Sequence, residues 1–243
     1  MIRRATLETI DDHVIFTLLS EPDVPTGRLV IMAHGFRGNS TGPARSFVNF
    51  ERRLIEAGYS CLRFDQPGSG NSTGDFAESS FNTWVETLAY LTGRYLHSGF
   101  RVALLGQSMG ATAAMVAAAR PELRDQVPCV LLWVPDPKTG FVASNSSEFQ
   151  EEEGQLYPER FWAEARDAGF FTSVAQYPGG LHLVYGEHDR YVSPEDKRSV
   201  IDAVRATGGE LLELPGEDHS PWAYASAQRV FDAQLSFLNR HFL

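Results

Sequence analysis

One stretch, residues 101–120, constrains the fold of this chain more than any other. It begins with an apolar run at 102–105 that has the length and composition of a buried strand. The chain then turns at Gly-Gln-Ser108-Met-Gly and continues as an alanine-rich stretch that ends before Pro121, because proline cannot extend a helix. A strand, a G-x-S-x-G turn and a helix, in that order, predict a sharp turn that lifts Ser108 above the end of a sheet.

The five-residue pattern alone is weak evidence, since it occurs three times in this chain. Ser40 lies well past the preceding apolar run, with a Gly-Pro pair where a helix would have to begin. Ser72 lies in a loop rich in glycine and serine, with no strand leading directly into it. Only Ser108 has both flanking elements, so we interpret Ser40 and Ser72 as glycine-rich turns and Ser108 as the candidate nucleophile.

Strands and helices alternate along most of the sequence. The apolar runs predict a hairpin at 4–9 and 13–20 and then strands at 28–33, 60–64, 102–105, 127–134, 181–186 and 210–214, with helices between them at about 44–57, 77–97, 194–206 and 221–241. This alternation predicts a mostly parallel, eight-stranded α/β sheet with helices on both faces. Such sheets bind ligands at the carboxyl ends of their strands.

The segment 135–180 interrupts the alternation. It is too long for a connection inside a compact domain, and it is rich in aromatic residues. It holds one predicted helix, from Pro158 to Gly169. We therefore expect a core domain formed by residues 1–134 and 181–243, and a small cap, residues 135–180, inserted over the edge that carries Ser108.

Charge and composition exclude several classes of partner. The formal net charge is −10, so neither nucleic acid nor an anionic membrane surface is an expected partner. No apolar run approaches the roughly 18 residues that span a bilayer, and the N-terminus lacks the apolar region of a signal peptide, so a cytoplasmic location is expected. Neither cysteine has the spacing of a metal site and no phosphate-binding loop is present, so no cofactor is expected.

A serine hydroxyl becomes a nucleophile only when a base takes its proton. Sheets with this kind of turn carry their catalytic residues in the chain order serine, acid, histidine, which indicates His219 among the seven histidines. Two acids follow strand ends and compete to orient it. We favour Asp189, because Asp136 lies between two prolines, where a role in a turn is sufficient.

The negative charge that forms on the attacked carbonyl oxygen needs two donors. One is the backbone N–H of Met109, the residue after the nucleophile. The second is expected from the turn after the strand 28–33, at the N–H of Phe36, with Gly35 allowing close approach. Residues of this turn and of the cap should line the substrate pocket, and its aromatic side chains should make it apolar. The expected lining is His34, Gly35, Phe141, Phe161, Trp162 and Phe170.

Taken together, these motifs resemble those of the α/β-hydrolases over essentially the whole chain. The matching motifs are His34-Gly-Phe, Arg63-Phe-Asp-Gln-Pro-Gly-Ser-Gly-Asn-Ser72, Gly106-Gln-Ser-Met-Gly110, Gly186-Glu-His-Asp189 and Asp218-His219. Within that superfamily the chain is most similar to small bacterial serine esterases related to cinnamoyl and feruloyl esterases, which share the first two motifs and a compact cap. The family sheet would place the strands of Cys61 and Cys129 three steps apart, roughly 14 Å at ~4.8 Å a step, which excludes a disulfide.

The resemblance implies a serine carboxylic ester hydrolase that forms an acyl-enzyme on Ser108. Its partner would be a small-molecule ester, with an aryl group or a short-to-medium acyl chain. Thioesterases and serine peptidases use the same intermediate and stay open as alternatives. Dehalogenases and epoxide hydrolases are disfavoured, because those relatives carry aspartate at the position of Ser108. A ligand-binding protein on a hydrolase scaffold is the non-enzyme alternative, although such proteins usually lack one catalytic residue.

Overall fold

The computed structural model describes residues 1–142, 149–152 and 154–242 of the chain. Its strands, in chain order, are β1 (Ile2–Ile10), β2 (His13–Glu21), β3 (Arg28–Ala33), β4 (Ser60–Phe64), β5 (Arg101–Gln107), β6 (Cys129–Trp133), β7 (Phe149–Glu152), β8 (Gln155–Pro158), β9 (Gly180–Gly186) and β10 (Glu210–Leu214). Its α-helices are α1 (Ser46–Glu56), α2 (Phe81–His97), α3 (Met109–Ala118), α4 (Arg160–Asp167), α5 (Phe170–Gln176), α6 (Pro194–Ala206) and α7 (Tyr224–His241).

Eight strands form one sheet in the order β1-β2-β4-β3-β5-β6-β9-β10. The β1–β2 and β2–β4 pairs are antiparallel, and all pairs from β4 to β10 are parallel. Helices α1 and α7 pack together on one face, and α2 and α3 pack together on the other. The mostly parallel, eight-stranded sheet predicted from the sequence is therefore confirmed.

The register of the sheet brings the candidate site together. Ala33 at the end of β3 pairs with Gly106 near the end of β5, and Gln107 pairs with Trp133 at the end of β6. Leu214 of β10 pairs with Gly186 at the end of β9. The loops that follow these strands therefore leave the sheet at one edge.

Helix α3 explains the alanine-rich composition that follows Ser108. All its residues except Val116 are buried, and it contacts β5, β6 and α2. A helix that is apolar all round belongs in the core rather than at a surface. Small side chains let its backbone approach the sheet closely, which keeps its N-terminus at the strand ends.

Several boundaries differ from the sequence predictions; helix α2, for example, begins at Phe81 instead of about 77. Helix α7 begins at Tyr224 instead of about 221, so the segment that follows His219 stays in the loop. Between β6 and β9 the structure has the β7–β8 hairpin and α5 in addition to the predicted helix. The hairpin has no apolar alternation that would have revealed it, since four of its eight strand residues are glutamine or glutamate and they do not alternate with apolar ones. The division into core and cap stays a prediction.

Both cysteines are buried free thiols. Cys61 lies on β4 and Cys129 on β6, and β3 and β5 separate these strands. Burial raises the pKa of both thiols well above the usual value, so neither is a reactive nucleophile. In the part of the chain that the structure describes, no helix combines the length and apolar character that crossing a bilayer requires.

A buried ion pair fastens the β4 strand to helix α1. The Glu51 carboxylate is fully buried, pairs with Arg63 and accepts a hydrogen bond of 3.0 Å from the Ser20 hydroxyl. Arg63 also donates to the carbonyl of Ser40, at 2.7 Å, in the loop after β3. The pair thus links the interior of the fold to a loop at the edge where the strand-end loops leave the sheet.

We expect Glu51→Ala to lower the free energy of unfolding by about 3–5 kcal/mol, because it leaves the Arg63 guanidinium buried without its carboxylate. Urea denaturation measures this loss. The matched control is Glu86→Ala, which breaks a surface pair between Glu86 and Arg120 in which the Glu86 side chain is 57% exposed. That variant should cost no more than about 1 kcal/mol. Equal losses in the two variants would contradict the structural role given to Glu51.

Candidate active site

Ser108 occupies a strained turn between β5 and α3. Its backbone angles are φ 54° and ψ −122°, which non-glycine residues rarely adopt. A Cβ at position 106 would collide with the carbonyl of Gly110, and one at position 110 would collide with the carbonyls of Ala33 and His34. Both glycines of the motif are therefore required by close backbone contact. Ser108 lies at the N-terminus of α3, where free N–H groups favour negative charge.

The other two G-x-S-x-G serines lie in loops held by Asp65. The fully buried Asp65 carboxylate accepts from Ser40 N–H at 2.6 Å and from Asn71 N–H at 2.8 Å. The Ser72 hydroxyl donates to the Asp65 carbonyl at 2.6 Å and accepts from Phe16 N–H at 2.9 Å. These hydrogen bonds give Ser40 and Ser72 a role in loop structure.

His219 and Asp189 form a close pair. The His219 Nδ1 atom lies 2.8 Å from Asp189 Oδ2. The Asp189 side chain is fully buried, and its other oxygen accepts from the N–H groups of Tyr191 and Val192, each at 3.0 Å. Because two backbone N–H groups fix this carboxylate, it keeps the His219 ring in one orientation and one tautomer. In that tautomer Nδ1–H donates to Asp189, and Nε2 is directed away from it.

Asp218 links the loop of His219 to the loop of Asp189. Its Oδ1 atom accepts from His219 N–H at 2.7 Å and from Arg190 N–H at 3.0 Å, and its carboxylate pairs with the Arg190 guanidinium. Desolvation opposes ionisation of Asp218, but these hydrogen bonds hold its pKa below the usual value. A Cβ at Gly186 would collide with the Asp218 carbonyl, so the end of β9 lies directly against this loop.

Asp136, the competing acid, has a different partner. Its side chain accepts from the Lys138 ammonium at 2.8 Å and from Lys138 N–H at 3.2 Å. Burial raises the pKa of Asp136, and Lys138 partly offsets that effect. Its backbone carbonyl accepts from the Thr112 hydroxyl at 3.0 Å, which ties the start of the cap segment to α3.

Hydrogen bonds within the turn after β3 determine the direction of the Phe36 N–H. Gly35 carbonyl lies 2.8 Å from His34 Nδ1 and 3.0 Å from Gly38 N–H, and His34 Nε2 accepts from Gln66 N–H at 2.9 Å. The ring is therefore neutral with its proton on Nδ1, and burial lowers its pKa. Because the carbonyl of the Gly35–Phe36 peptide is held on one side, its N–H points to the other.

Phe36 and Met109, the two expected donors, line the same cavity as Ser108 and His219. In the described chain neither of their N–H groups is hydrogen-bonded to an acceptor. Ser108 and His219 are not hydrogen-bonded to each other among the described residues. Catalytic bonds of this kind often tighten only when substrate is present.

The cavity at this edge has a volume of about 230 Å³. The residues that line it are Phe36, Arg37, Gln107, Ser108, Met109, Asp136, Lys138, Glu152, Trp162, Tyr191, His219 and Ser220. It contains two ion pairs, Arg37–Glu152 at 3.0 Å and Lys138–Asp136 at 2.8 Å. The expectation of an apolar pocket is therefore wrong, since charged side chains form much of its wall.

Trp162 is the member of the predicted pocket set that reaches this cavity. Its ring centroid lies 4.3 Å from that of Phe36 and 4.7 Å from the Lys138 ammonium. The other predicted members do not line the cavity. His34 and Gly35 are buried in the turn after β3, and Phe161 packs on Phe36 and Trp84. Phe170 is buried near α3, and the Phe141 carbonyl accepts a hydrogen bond from Arg166.

Sequence reasoning missed most of the polar lining. Arg37 directly follows the His-Gly-Phe turn and Ser220 directly follows His219, so adjacency to a motif could have indicated both. Tyr191, whose ring centroid is 5.2 Å from that of His219, lies two residues after Asp189. Lys138 lies two residues after Asp136, whereas Glu152, at the end of β7, is adjacent to no motif that could have indicated it.

The remaining buried histidine, His182, is unsuited to act as the base. It lies within β9, and burial lowers its pKa to about 4. Across the described residues no group of histidine, cysteine, aspartate and glutamate side chains is arranged to hold a metal ion. Among the described residues, the titratable side chains that line the cavity are those of His219, Tyr191 and the two ion pairs.

A family model described as serine aminopeptidase, S33, matches residues 25–135. The matched segment contains β3, the Gly35 turn and the Ser108 turn, and it ends before Asp189 and His219. Curated protein sequences give no match.

Solved structures resemble nearly the whole chain. Est1E from Butyrivibrio proteoclasticus, with ferulic acid bound, is 22% identical and has a TM-score of 0.86, covering 98% of this chain and 99% of that one. A soluble variant of monoglyceride lipase from Saccharomyces cerevisiae, in complex with a substrate analogue, is 14% identical with a TM-score of 0.78, covering 99% and 97%. The esterase domain of a Rhodothermus marinus protein is 18% identical with a TM-score of 0.74, covering 99% of each chain.

The different contacts of Asp189 and Asp136 lead to an experiment that distinguishes the two candidate acids. An asparagine at position 189 would accept the two backbone N–H groups and turn its NH₂ toward His219, which favours the wrong ring tautomer. We expect Asp189→Asn to lower kcat at neutral pH by about 10⁴, the loss known for such a change in serine proteases.

The matched variant is Asp136→Asn, which keeps the shape of the other acid and should lower kcat by at most about tenfold, because Asp136 pairs with Lys138 and not with the imidazole. Melting temperatures check that both variants fold. A larger loss in Asp136→Asn than in Asp189→Asn would assign the acid to the loop after β6.

Proposed function

We propose that this chain, which has the α/β-hydrolase fold, is a serine carboxylic ester hydrolase that forms an acyl-enzyme on Ser108. The resemblance read from the sequence motifs agrees with that fold. The observation that carries the proposal is the cavity at the carboxyl edge of the sheet. Ser108 and His219 line it together, and Asp189 lies behind the imidazole at 2.8 Å.

The proposed reaction proceeds in two acyl transfers. His219 Nε2 takes the proton of the Ser108 hydroxyl as its oxygen attacks the ester carbonyl, and Asp189 stabilises the imidazolium that forms. The N–H groups of Phe36 and Met109 hold the oxyanion. The imidazolium then protonates the leaving alcohol oxygen. Water, deprotonated by His219, attacks the acyl carbon in the same way, which releases the acid and restores Ser108.

The size and lining of the cavity favour small substrates. A cavity of about 150 Å³ already binds benzene, so a volume of about 230 Å³ suits one aryl ring or a short-to-medium acyl chain. Trp162, Phe36 and Tyr191 offer aromatic contact for such a group. The ion pairs Arg37–Glu152 and Lys138–Asp136 offer donors and acceptors for polar substituents.

Thioesters and amides pass through the same intermediate, so thioesterase and serine peptidase activities are the nearest alternatives. A panel of matched oxygen esters, thioesters and amides with one acyl group separates them. A ligand-binding protein without activity is the alternative of a different class, and hydrolysis of a generic activated ester distinguishes it from an enzyme.

We expect Ser108→Ala to abolish ester hydrolysis while the protein stays folded, with a loss in kcat of about 10⁶. A fluorophosphonate should label the wild-type protein at Ser108, as identified by mass spectrometry of peptides. Ser40→Ala and Ser72→Ala serve as controls, because each removes a serine from the same five-residue pattern, and neither should prevent labelling. Label found on Ser40 or Ser72 would overturn the assignment of the nucleophile.

The aromatic side chains among the cavity lining lead to a second prediction. Trp162→Ala should lower kcat/KM for aryl esters by about tenfold relative to that for acetate esters of small alcohols, since it removes an aromatic contact worth about 0.5–1.5 kcal/mol together with its buried area. The control is Phe171→Ala, a partly buried cap residue outside the cavity lining. If both variants preserve the wild-type ranking of substrates, Trp162 does not select the substrate.

A further inference from the structure

The side chain of Gln107, the residue before the proposed nucleophile, connects three loops of the site. Its Oε1 atom accepts from the N–H of Gly35 at 3.1 Å, and its Nε2 atom donates to the Ser220 hydroxyl at 2.9 Å. Gln107 is 7% exposed and belongs to the last position of β5. One amide therefore joins the Ser108 turn to the turn of Phe36 and to the loop of His219.

The orientation of this amide is determined by chemistry. Gly35 N–H can only donate, so the oxygen of the Gln107 amide must face it. The NH₂ group then faces Ser220, and the Ser220 oxygen accepts. The Gly35 N–H is consequently occupied, which leaves the next N–H, that of Phe36, as the free donor of this turn.

The contact with Gly35 is close. A Cβ at position 35 would lie 2.6 Å from Gln107 Oε1 and 2.9 Å from Ser108 Cβ. With the Gly35 carbonyl held by His34 and Gly38, and its N–H held by Gln107, both sides of this turn are anchored. The direction of the Phe36 N–H depends on these anchors.

The contact with Ser220 acts on the other loop. Ser220 directly follows His219, and both line the cavity. The Asp189 contact orients the ring of His219, whereas the Gln107 contact holds the side chain of Ser220, the next residue of the same loop. The loop is thus tied to the Ser108 turn independently of Asp189.

We infer that Gln107 is a positioning residue that sets the oxyanion donor Phe36 and the base His219 relative to Ser108. This inference rests on the proposed function, since it concerns the same site. Gln107 takes no proton in the reaction, and its effect is exerted through the two hydrogen bonds of its amide.

The test compares Gln107→Met, which keeps the length of the side chain and removes both hydrogen bonds, with a matched control. The control is Gln66→Met, because Gln66 is buried two residues after β4 and its side-chain amide makes no hydrogen bond among the described residues. The substitution keeps the backbone N–H of residue 66 that His34 accepts. We expect Gln107→Met to lower kcat by about 10²-fold, comparable to loss of one oxyanion donor. KM should change by less than about threefold, and Gln66→Met should behave as wild type.

Two further variants separate positioning from packing. A carboxylate in Gln107→Glu can accept from both Gly35 N–H and the Ser220 hydroxyl, so it should recover at least about tenfold of the rate lost in Gln107→Met. Its negative charge favours the imidazolium form of His219, so the rise of activity with pH should move to higher pH. A packing role would predict neither recovery nor a shifted pH profile.

The two hydrogen bonds of the Gln107 amide form a bridge between Gly35 and Ser220. The Ser220→Ala variant removes the Ser220 end of this bridge and should lower kcat by about tenfold. Combined with Gln107→Met it should cost little beyond Gln107→Met alone, because both changes break the same hydrogen bond. Multiplicative losses, or a folded Gln107→Met variant with wild-type kcat, would overturn the inference.

Failure of this inference can be distinguished from failure of the proposed function. If the wild-type protein hydrolyses no ester and a fluorophosphonate does not label Ser108, the proposed function is wrong. The bridge is then judged by unfolding in urea, where the stability losses of Gln107→Met and Ser220→Ala should be non-additive. Additive losses in that cycle would reject the bridge itself.

Discussion

The proposed site depends on the close contact between the Ser108 turn and the end of β3. Glycine at position 110 lies against the carbonyls of Ala33 and His34, where no side chain could fit. This contact places the N-terminus of α3 beside the turn that carries Phe36. Because β3 and β5 are paired in register up to Ala33 and Gly106, the two turns leave the sheet side by side. The strained backbone of Ser108 is held by buried structure on both sides.

Hydrogen bonds to backbone groups then hold each polar residue around this contact. His34 holds the carbonyl of Gly35, Asp189 accepts two backbone N–H groups and the imidazole of His219, and Asp218 joins the loops of the two. Charged side chains at the cavity wall are likewise paired. The proposed site is thus polar and preorganised, while among the described residues the N–H groups of Phe36 and Met109 are left without an acceptor.

The cap segment connects to this site through aromatic packing. The Phe36 ring lies within 5.2 Å, between centroids, of the rings of Phe76, Tyr157, Phe161 and Trp162. The residue whose N–H is the proposed oxyanion donor therefore also packs, through its side chain, on three aromatic residues of the predicted cap. Among the described aromatics of that segment, Trp162 is the one that lines the cavity.

Local chemistry in the sequence was sufficient to predict most of the elements and to indicate the candidate site residues. Apolar runs and their turn residues predicted β3, β4, β10 and α6 at their observed bounds, because burial and capping act over a few neighbouring positions. The order of motifs also indicated the pair His219 and Asp189, which the structure brings to 2.8 Å. Tertiary structure alone decided that Arg37 pairs with Glu152, that Gln107 joins two distant loops, and that the cavity is polar. Those contacts connect residues far apart in the chain through irregular segments, where no periodicity records which side chain faces which.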